Sequence, residues 1–161
     1  MSVVWTAAAL LAALMLQTGL GRLWPGAVYA LDVFLLVVVY VGLTRGETWG
    51  MLTGMAAGWI QDVQFGGPVV GFAALSKLVV GFAVGFAASR FLLLAALPRL
   101  GLLLCASLLD SLLFERLAAL LGAPVDEVSL ATLAGRAALS AAVGVPLYQA
   151  LDRRLRRGMA A

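Results

Sequence analysis

Residues 47–89, ETWGMLTGMAAGWIQDVQFGGPVVGFAALSKLVVGFAVGFAAS, decide the fold of this chain. Glycines recur at helical spacing on both sides of an acidic turn: Gly50, Gly54 and Gly58 before it, and Gly71, Gly81 and Gly85 after it. Residues four apart share a helix face, and small residues let helix backbones approach closely in lipid. The stretch therefore predicts a tightly packed helical hairpin with Asp62 at its tip. The alternative is that any multi-pass membrane protein carries such glycines.

Composition indicates an integral membrane protein. Hydrophobic residues make up 63% of the chain, charged residues only 12%, and the mean hydropathy is +1.05. A soluble domain is about half apolar and about a quarter charged. The 161 residues have room for about six spans of about 20 residues each. We predict an all-α fold, a six-helix bundle that forms a single transmembrane domain over residues 1–161.

The residue inventory excludes several functional classes. The chain has no His and one Cys, Cys105, which lies in an apolar run. Histidine-based catalysis, metal clusters and disulfides within one chain therefore lack their residues, and we expect no enzyme activity, no cofactor and no metal. The net charge of +3 comes largely from a C-terminal cluster that is typical of headgroup binding and not of nucleic-acid binding. This cluster comprises Arg153, Arg154, Arg156 and Arg157.

Apolar runs and Gly/Pro breaks predict the six spans. The first run lacks a basic leading segment, so we interpret it as a retained helix and not as a cleaved signal peptide. Pro68 suits the first turn of the fourth helix, Pro98 opens the fifth, and Asp126 and Glu127 precede the sixth. The predicted spans are residues 3–20, 28–44, 47–64, 68–89, 99–121 and 129–151.

Basic residues near the span ends predict the orientation. With six spans both termini share one side, and that side collects Arg45, Arg90, Arg99 and the four C-terminal arginines. Arg22 and Arg116 lie opposite. The positive-inside rule therefore places both termini in the cytoplasm. Asp62 and the Gly66-Gly67-Pro68 turn then face outward.

Ionisable residues within the spans predict two ion pairs. Each such residue costs about 2.5–3.5 kcal/mol at mid-bilayer, so it tends to face a partner or water. Counted from the outer ends, Lys77 and Asp110 both lie about 14–17 Å deep, and Glu115 and Arg136 about 9–11 Å deep. Structural pairing and a role in transport both explain these residues. Asp32, one turn inside the second helix, joins Asp62 and Arg136 as the predicted polar residues of an outer cavity.

The stretch from Asp32 to Gly85 resembles the bacterial rod shape-determining protein family MreD. The resemblance rests on Asp32 in the second helix, the run Gly50-x3-Gly54-x3-Gly58-Trp59-Ile60-Gln61-Asp62, a Gly-Pro turn, Gly71-Phe72-Ala73-Ala74-Leu75 and Gly81-x3-Gly85. It covers about a third of the chain, and the rest agrees in length and hydropathy only. The family is similar in fold to the S components of energy-coupling factor vitamin transporters, which implies an S-component-like bundle.

The resemblance implies a scaffold of the cell-elongation machinery in the bacterial inner membrane. Its implied partners are the MreC transmembrane helix and, directly or indirectly, MreB, RodA and a class B penicillin-binding protein, with which it helps to organise lateral peptidoglycan synthesis. The family supplies no catalytic residue to transfer. The alternative function is that of a solute-binding subunit of a vitamin or small-molecule transporter. Monomer and homodimer both stay open.

The predicted topology can be tested by cysteine-accessibility labelling of intact cells, with Cys105 first replaced. A cysteine at Gly67 should react with an impermeant reagent added outside, and one at Gly158 should not, because the arginine-rich ends stay in the cytoplasm. The reverse pattern of labelling would contradict the assigned orientation.

Overall fold

The computed structural model describes residues 3–23, 31–66, 70–90, 96–120, 122 and 130–158. Over these residues the chain forms six α-helices and no β-strand. This confirms the predicted all-helical class. The helices are α1 (Val3–Leu23), α2 (Val33–Arg45), α3 (Glu47–Phe65), α4 (Phe72–Arg90), α5 (Ala96–Leu120) and α6 (Leu130–Gly158).

Helix α2 lies at the centre of the bundle. It contacts each of the other five helices, and it is apolar around its whole circumference, which is typical of a fully buried helix. One side joins a core with α1 and α3, and the other joins a core with α4, α5 and α6. In the second core Tyr148 of α6 donates a hydrogen bond to the Leu36 carbonyl oxygen at 2.6 Å. The shortest helix therefore organises the packing of the longer ones.

Helices α3 and α4 form the predicted hairpin, and their backbones touch along the glycine face. A Cβ atom added to Gly54 would overlap the carbonyl group of Lys77, and one added to Gly58 would overlap that of Ala73. Real Cβ atoms do not approach a backbone this closely. The hairpin therefore has no room for any side chain at these two positions.

The same contact continues towards the open end of the hairpin. Gly50 and Gly81 face each other, so that a Cβ on either would overlap the carbonyl oxygen of the other. A Cβ on Gly85 would meet the backbone of Glu47, the first residue of α3. Five of the six glycines predicted to pack the hairpin thus lie in its contact face.

Gly71 is the exception, and the prediction that it packs the hairpin was wrong. It precedes α4 with a φ of +113°, and a Cβ there would meet nothing within 4 Å. Glycine is needed here because side chains disfavour positive φ. This conformation also stops the helix from extending back towards Pro68, so α4 begins at Phe72 and not at residue 68.

Several other helix bounds differ from those predicted. Residues 31 and 32 are not helical, so Asp32 precedes α2 and does not lie one turn inside it. Helix α5 begins at Ala96, which places Pro98 in its first turn, where proline is tolerated. Helix α6 contains Pro146 and runs past residue 151 to Gly158, because the arginine-rich segment is also helical.

Much of the outward surface of the described helices is apolar. Among the described residues, two helices, α1 and α4, are long and apolar enough to cross a membrane, and α2 is a shorter apolar helix. Only 22% of the most apolar segment of α1 and 44% of that of α4 are buried. Large apolar side chains are exposed on five helices. They include Trp5, Leu11, Met15, Leu52, Met55, Trp59, Leu75, Phe82, Phe86, Leu108, Leu112, Leu139 and Leu147.

The glycine contact predicts a position-specific effect of a single methyl group. Gly54→Ala should lower the free energy of unfolding by about 1–3 kcal/mol, because the added Cβ forces α3 and α4 apart. Gly135→Ala on the exposed face of α6 is the matched control, since a Cβ there meets nothing within 4 Å. It should be neutral or stabilising by up to about 1 kcal/mol. Unfolding titrations in detergent measure both variants, and equal stabilities would contradict the close contact.

Candidate functional site

The candidate site begins at the N-terminus of α2, where Asp32 caps the helix. Its Oδ1 accepts a hydrogen bond from the Leu35 backbone N–H at 3.0 Å, which is the usual contact of an aspartate N-cap. Gln17 of α1 holds the same segment from the other side. Its Oε1 accepts from the Val33 N–H at 2.9 Å, and its Nε2 donates to the Leu31 carbonyl oxygen at 3.3 Å. The capping carboxylate is therefore fixed in place.

A buried lysine joins this cap to two other helices. Lys77 of α4 is 2% exposed, and its Nζ lies 2.6 Å from Asp32 Oδ2 and 2.9 Å from Asp110 Oδ2 of α5. The structure thus brings together Lys77 and Asp110, as the depth count predicts, and adds a second carboxylate. We call Asp32, Lys77 and Asp110 the charge triad.

Two neutral side chains complete the charge triad. Ser76, the neighbour of Lys77 on α4, places its hydroxyl 2.7 Å from Asp110 Oδ1 and 2.9 Å from the Asp110 carbonyl oxygen. Gln61 of α3 donates from Nε2 to Asp32 Oδ2 at 3.5 Å. Helices α3, α4 and α5 and the N-cap residue of α2 therefore contribute polar groups to one cluster. A cluster of this kind ties the hairpin to α2 and α5.

Asp62 forms a second buried polar centre, at the closed end of the hairpin. Asp62 is 3% exposed, and its carboxylate accepts three backbone N–H groups: Gly71 at 2.8 Å, Ala73 at 3.2 Å and Ala74 at 3.3 Å. These are the donors that lie at the start of α4, and the helix dipole favours a negative charge there. Asp62 therefore caps the partner helix of its own hairpin.

The prediction of a second ion pair was wrong. Over the described residues Glu115 and Arg136 form no ion pair within 4.0 Å, and Glu115 Oε1 and Arg136 Nε are buried without hydrogen-bond partners. The prediction compared the positions of the two residues along the helix axes and ignored the directions in which their side chains point around those axes. Five residues separate Glu115 from Asp110, which turns the side chain about 140° around α5.

The predicted outer cavity residues do not share one site. Asp32 belongs to the charge triad and Asp62 to the hairpin cap, and Arg136 forms no ion pair with either carboxylate among the described residues. The predicted headgroup-binding residues Arg153, Arg154, Arg156 and Arg157 lie in α6, but their side chains fall outside the described residues, as do Pro68, Asp126 and Glu127. Arg45 and Arg90 end α2 and α4 and stack over Trp49 and Phe86.

The sequence predicts Asp32 as a polar site residue but not its pairing with Lys77, and it does not single out Gln17 or Ser76. Asp32 stands directly before an unbroken apolar run, which is the pattern of an N-cap, although the sequence does not show that its carboxylate meets Lys77. Gln17 and Ser76 are isolated polar residues on apolar helices. Both are almost fully buried, at 1% exposure, and their partners lie on other elements.

The carboxylates of the candidate site are paired with donors from the protein itself. Over the described residues no group of three or more His, Cys, Asp or Glu side chains stands close enough to hold a metal ion. The carboxylates of Asp32, Asp62 and Asp110 accept hydrogen bonds from the protein itself. Buried groups of this kind connect helices, because each loses its partner when the helices separate.

Comparison of the chain with protein-family models, with curated proteins and with solved structures yields no match.

The Asp62 cap predicts a graded effect of substitution. Asp62→Asn keeps one acceptor oxygen but turns an amide group towards the backbone N–H groups of α4, which should lower the free energy of unfolding by about 1–3 kcal/mol. Asp62→Leu removes both oxygens and should destabilise the protein more. Unfolding titrations in detergent compare the two variants. Equal losses would show that the charge and not the hydrogen bonding matters.

Proposed function

We propose that the chain is a six-span protein of the bacterial inner membrane with both termini in the cytoplasm. Two observations support a bilayer location. Large apolar side chains cover the outside of five helices, whereas Lys77, Asp62 and Gln17 lie inside. A water-soluble bundle has the opposite arrangement, since charged residues are almost never fully buried and large apolar patches are rarely exposed.

Within that membrane the chain acts as a non-enzymatic scaffold of the cell-elongation machinery. In this role it holds the MreC transmembrane helix and helps to organise lateral peptidoglycan synthesis by RodA and its penicillin-binding partner, together with MreB. The resemblance to the MreD family falls on residues 32–85, and the glycine contact and the Asp62 cap lie within those residues. The most specific part of the resemblance is thus also the most densely packed part of the described structure.

The hydrogen bonding of Asp62 is the observation that carries the scaffold proposal. A solute-binding carboxylate needs free acceptor positions that face a cavity. Asp62 is 3% exposed and its carboxylate accepts three backbone N–H groups, so its acceptor positions serve the hairpin. The same holds for Asp32, which caps α2 and pairs with Lys77. This favours a rigid platform for partner helices over the alternative of a transport subunit.

The scaffold proposal predicts loss of rod shape when the gene is deleted from the bacterium that encodes the chain. Restoring the tagged wild-type chain should restore rods, and MreC should copurify with it from detergent-solubilised membranes. Gly54→Leu should lose both properties, because it separates the hairpin that carries the resemblance. Gly135→Leu adds the same side chain at an exposed position and should keep both.

Two outcomes would contradict the scaffold. One is normal rods in the deletion strain. The other is a folded, membrane-inserted wild-type chain that captures no MreC. A vitamin-sized molecule that copurifies with the chain in place of MreC would favour the transport alternative.

A further inference from the structure

The hairpin of α3 and α4 has two sides, which the glycine contact separates. An α-helix turns about 100° per residue, so the residues before and after a contact glycine point to opposite sides of the contact. Because α3 and α4 run antiparallel, the residues that follow the contact glycines lie on the same side of the hairpin on both helices. The residues that precede them lie together on the other side.

The residues that precede the contact glycines are buried, and none of the four is more than 3% exposed. Three of them belong to the two cores around α2. This side of the hairpin therefore packs against the rest of the bundle. The four residues are Thr53 and Ala57 on α3, and Val80 and Val84 on α4.

The residues that follow the same four glycines are large, apolar and exposed. Their exposed fractions lie between 45% and 60%. Among the described helices, α1, α2 and α5 contact the hairpin, and they leave this side uncovered. We call it the open face. Its central residues are Met55 and Trp59 on α3, and Phe82 and Phe86 on α4.

The open face offers contact along two helices at once. The backbones of α3 and α4 touch beneath it, so the two rows of side chains stand close together. Phe82 and Phe86 stack on each other, with ring centroids 6.2 Å apart. Aromatic side chains bury large areas at interfaces, and methionine adapts its shape to a partner. This surface suits a second surface that is also two helices wide.

One end of the open face carries both an acid and a base. A Cβ on Gly85 would meet the backbone of Glu47, so Glu47 lies level with Gly85 and close to Phe86. Arg90 stacks over Phe86, with its Cζ 5.2 Å from the ring centroid. Both charged side chains are exposed. Among the described residues neither forms an ion pair within 4.0 Å.

These two charges select the occupant of the open face, because they make the face complementary to itself. Copies of the chain that share one orientation in a membrane can be related by a two-fold axis along the membrane normal. Residue i of one copy then contacts residue j of the other, and the reverse contact forms as well. Helix α3 of each copy lies opposite α4 of the other, so Glu47 meets Arg90 twice. A second copy therefore supplies both missing partners at once.

We infer that the open face is a homodimer interface, on which a second copy of the chain docks by its own open face. Close packing of the aromatic and methionine side chains supplies the contact, since burial of apolar surface gives no gain between helices in lipid. The exposed Glu47–Arg90 pairs contribute little affinity and fix the register. The inference rests on the membrane location proposed above and not on the scaffold role.

Energy transfer between labelled copies measures the dimer. The full chain is labelled at its single cysteine, Cys105, which is exposed. Donor-labelled and acceptor-labelled copies are mixed in vesicles of phosphatidylethanolamine and phosphatidylglycerol, and transfer is followed as the chain is diluted with lipid. Phe82→Ala should weaken dimerisation about tenfold, whereas Leu112→Ala should change it by less than about twofold. Leu112 of α5 is the matched control, because it is 45% exposed, as Phe82 is, and lies outside the open face.

Cross-linking tests the register independently. In a Cys105→Ala background, copies that carry Glu47→Cys are mixed in the same vesicles with differently tagged copies that carry Arg90→Cys, and a short bismaleimide is added. Each copy has one cysteine, so a product that carries both tags joins two chains. This mixed product should form, and it should be absent when Leu112→Cys replaces Arg90→Cys.

The possible outcomes separate the dimer from the membrane location. Wild-type chains that insert into vesicles but show no specific energy transfer at any dilution have lipid on the open face, which would overturn the dimer alone. Equal effects of Phe82→Ala and Leu112→Ala, or no mixed product from Glu47→Cys and Arg90→Cys, would overturn the open face as the interface. Wild-type chains that do not insert would contradict the membrane location and the dimer together.

Discussion

The backbone contact between α3 and α4 is the constraint on which the rest of the structure depends. Gly50, Gly54 and Gly58 bring one helix against the carbonyl groups of the other. In the proposed membrane location no hydrophobic gain between helices drives association, so close van der Waals contact must supply it. The contact also sets the position of Lys77, whose carbonyl group lies against Gly54. The lysine side chain can then reach both α2 and α5.

The polar interior follows from that packing. Once the hairpin is closed, Asp62 meets the first N–H groups of α4, and Lys77 meets carboxylates from two other helices. These groups lie inside a bundle whose outer surface is apolar. Since lipid offers no hydrogen bonds, the polar groups of a chain in the proposed membrane location gain most by facing one another within the protein. The hairpin thus provides the helix packing, the Asp62 cap and the lysine of the charge triad, whose two carboxylates come from outside the hairpin.

The depths of ionisable residues along their helices predict only part of the ion pairing. Equal depth predicts the pair of Lys77 and Asp110, and in the structure Lys77 Nζ lies 2.9 Å from Asp110 Oδ2. The same reasoning failed for Glu115 and Arg136, because position along a helix axis says nothing about direction around it. It also overlooked Asp32 as a partner of Lys77, because the predicted helix began too early and placed that carboxylate near a membrane face.

By itself the sequence determined the helical class, the hairpin and the position of Asp62 beside its turn, since these depend on local properties. Hydropathy, glycine spacing and an aspartate beside a Gly-rich turn act over a few residues. Only the tertiary structure decided that α2 is central, that Gly71 serves a turn, and that the charge triad has two carboxylates for one ammonium. Those features depend on the rotation of each helix about its axis and on which neighbour it meets. A linear pattern does not specify either of them.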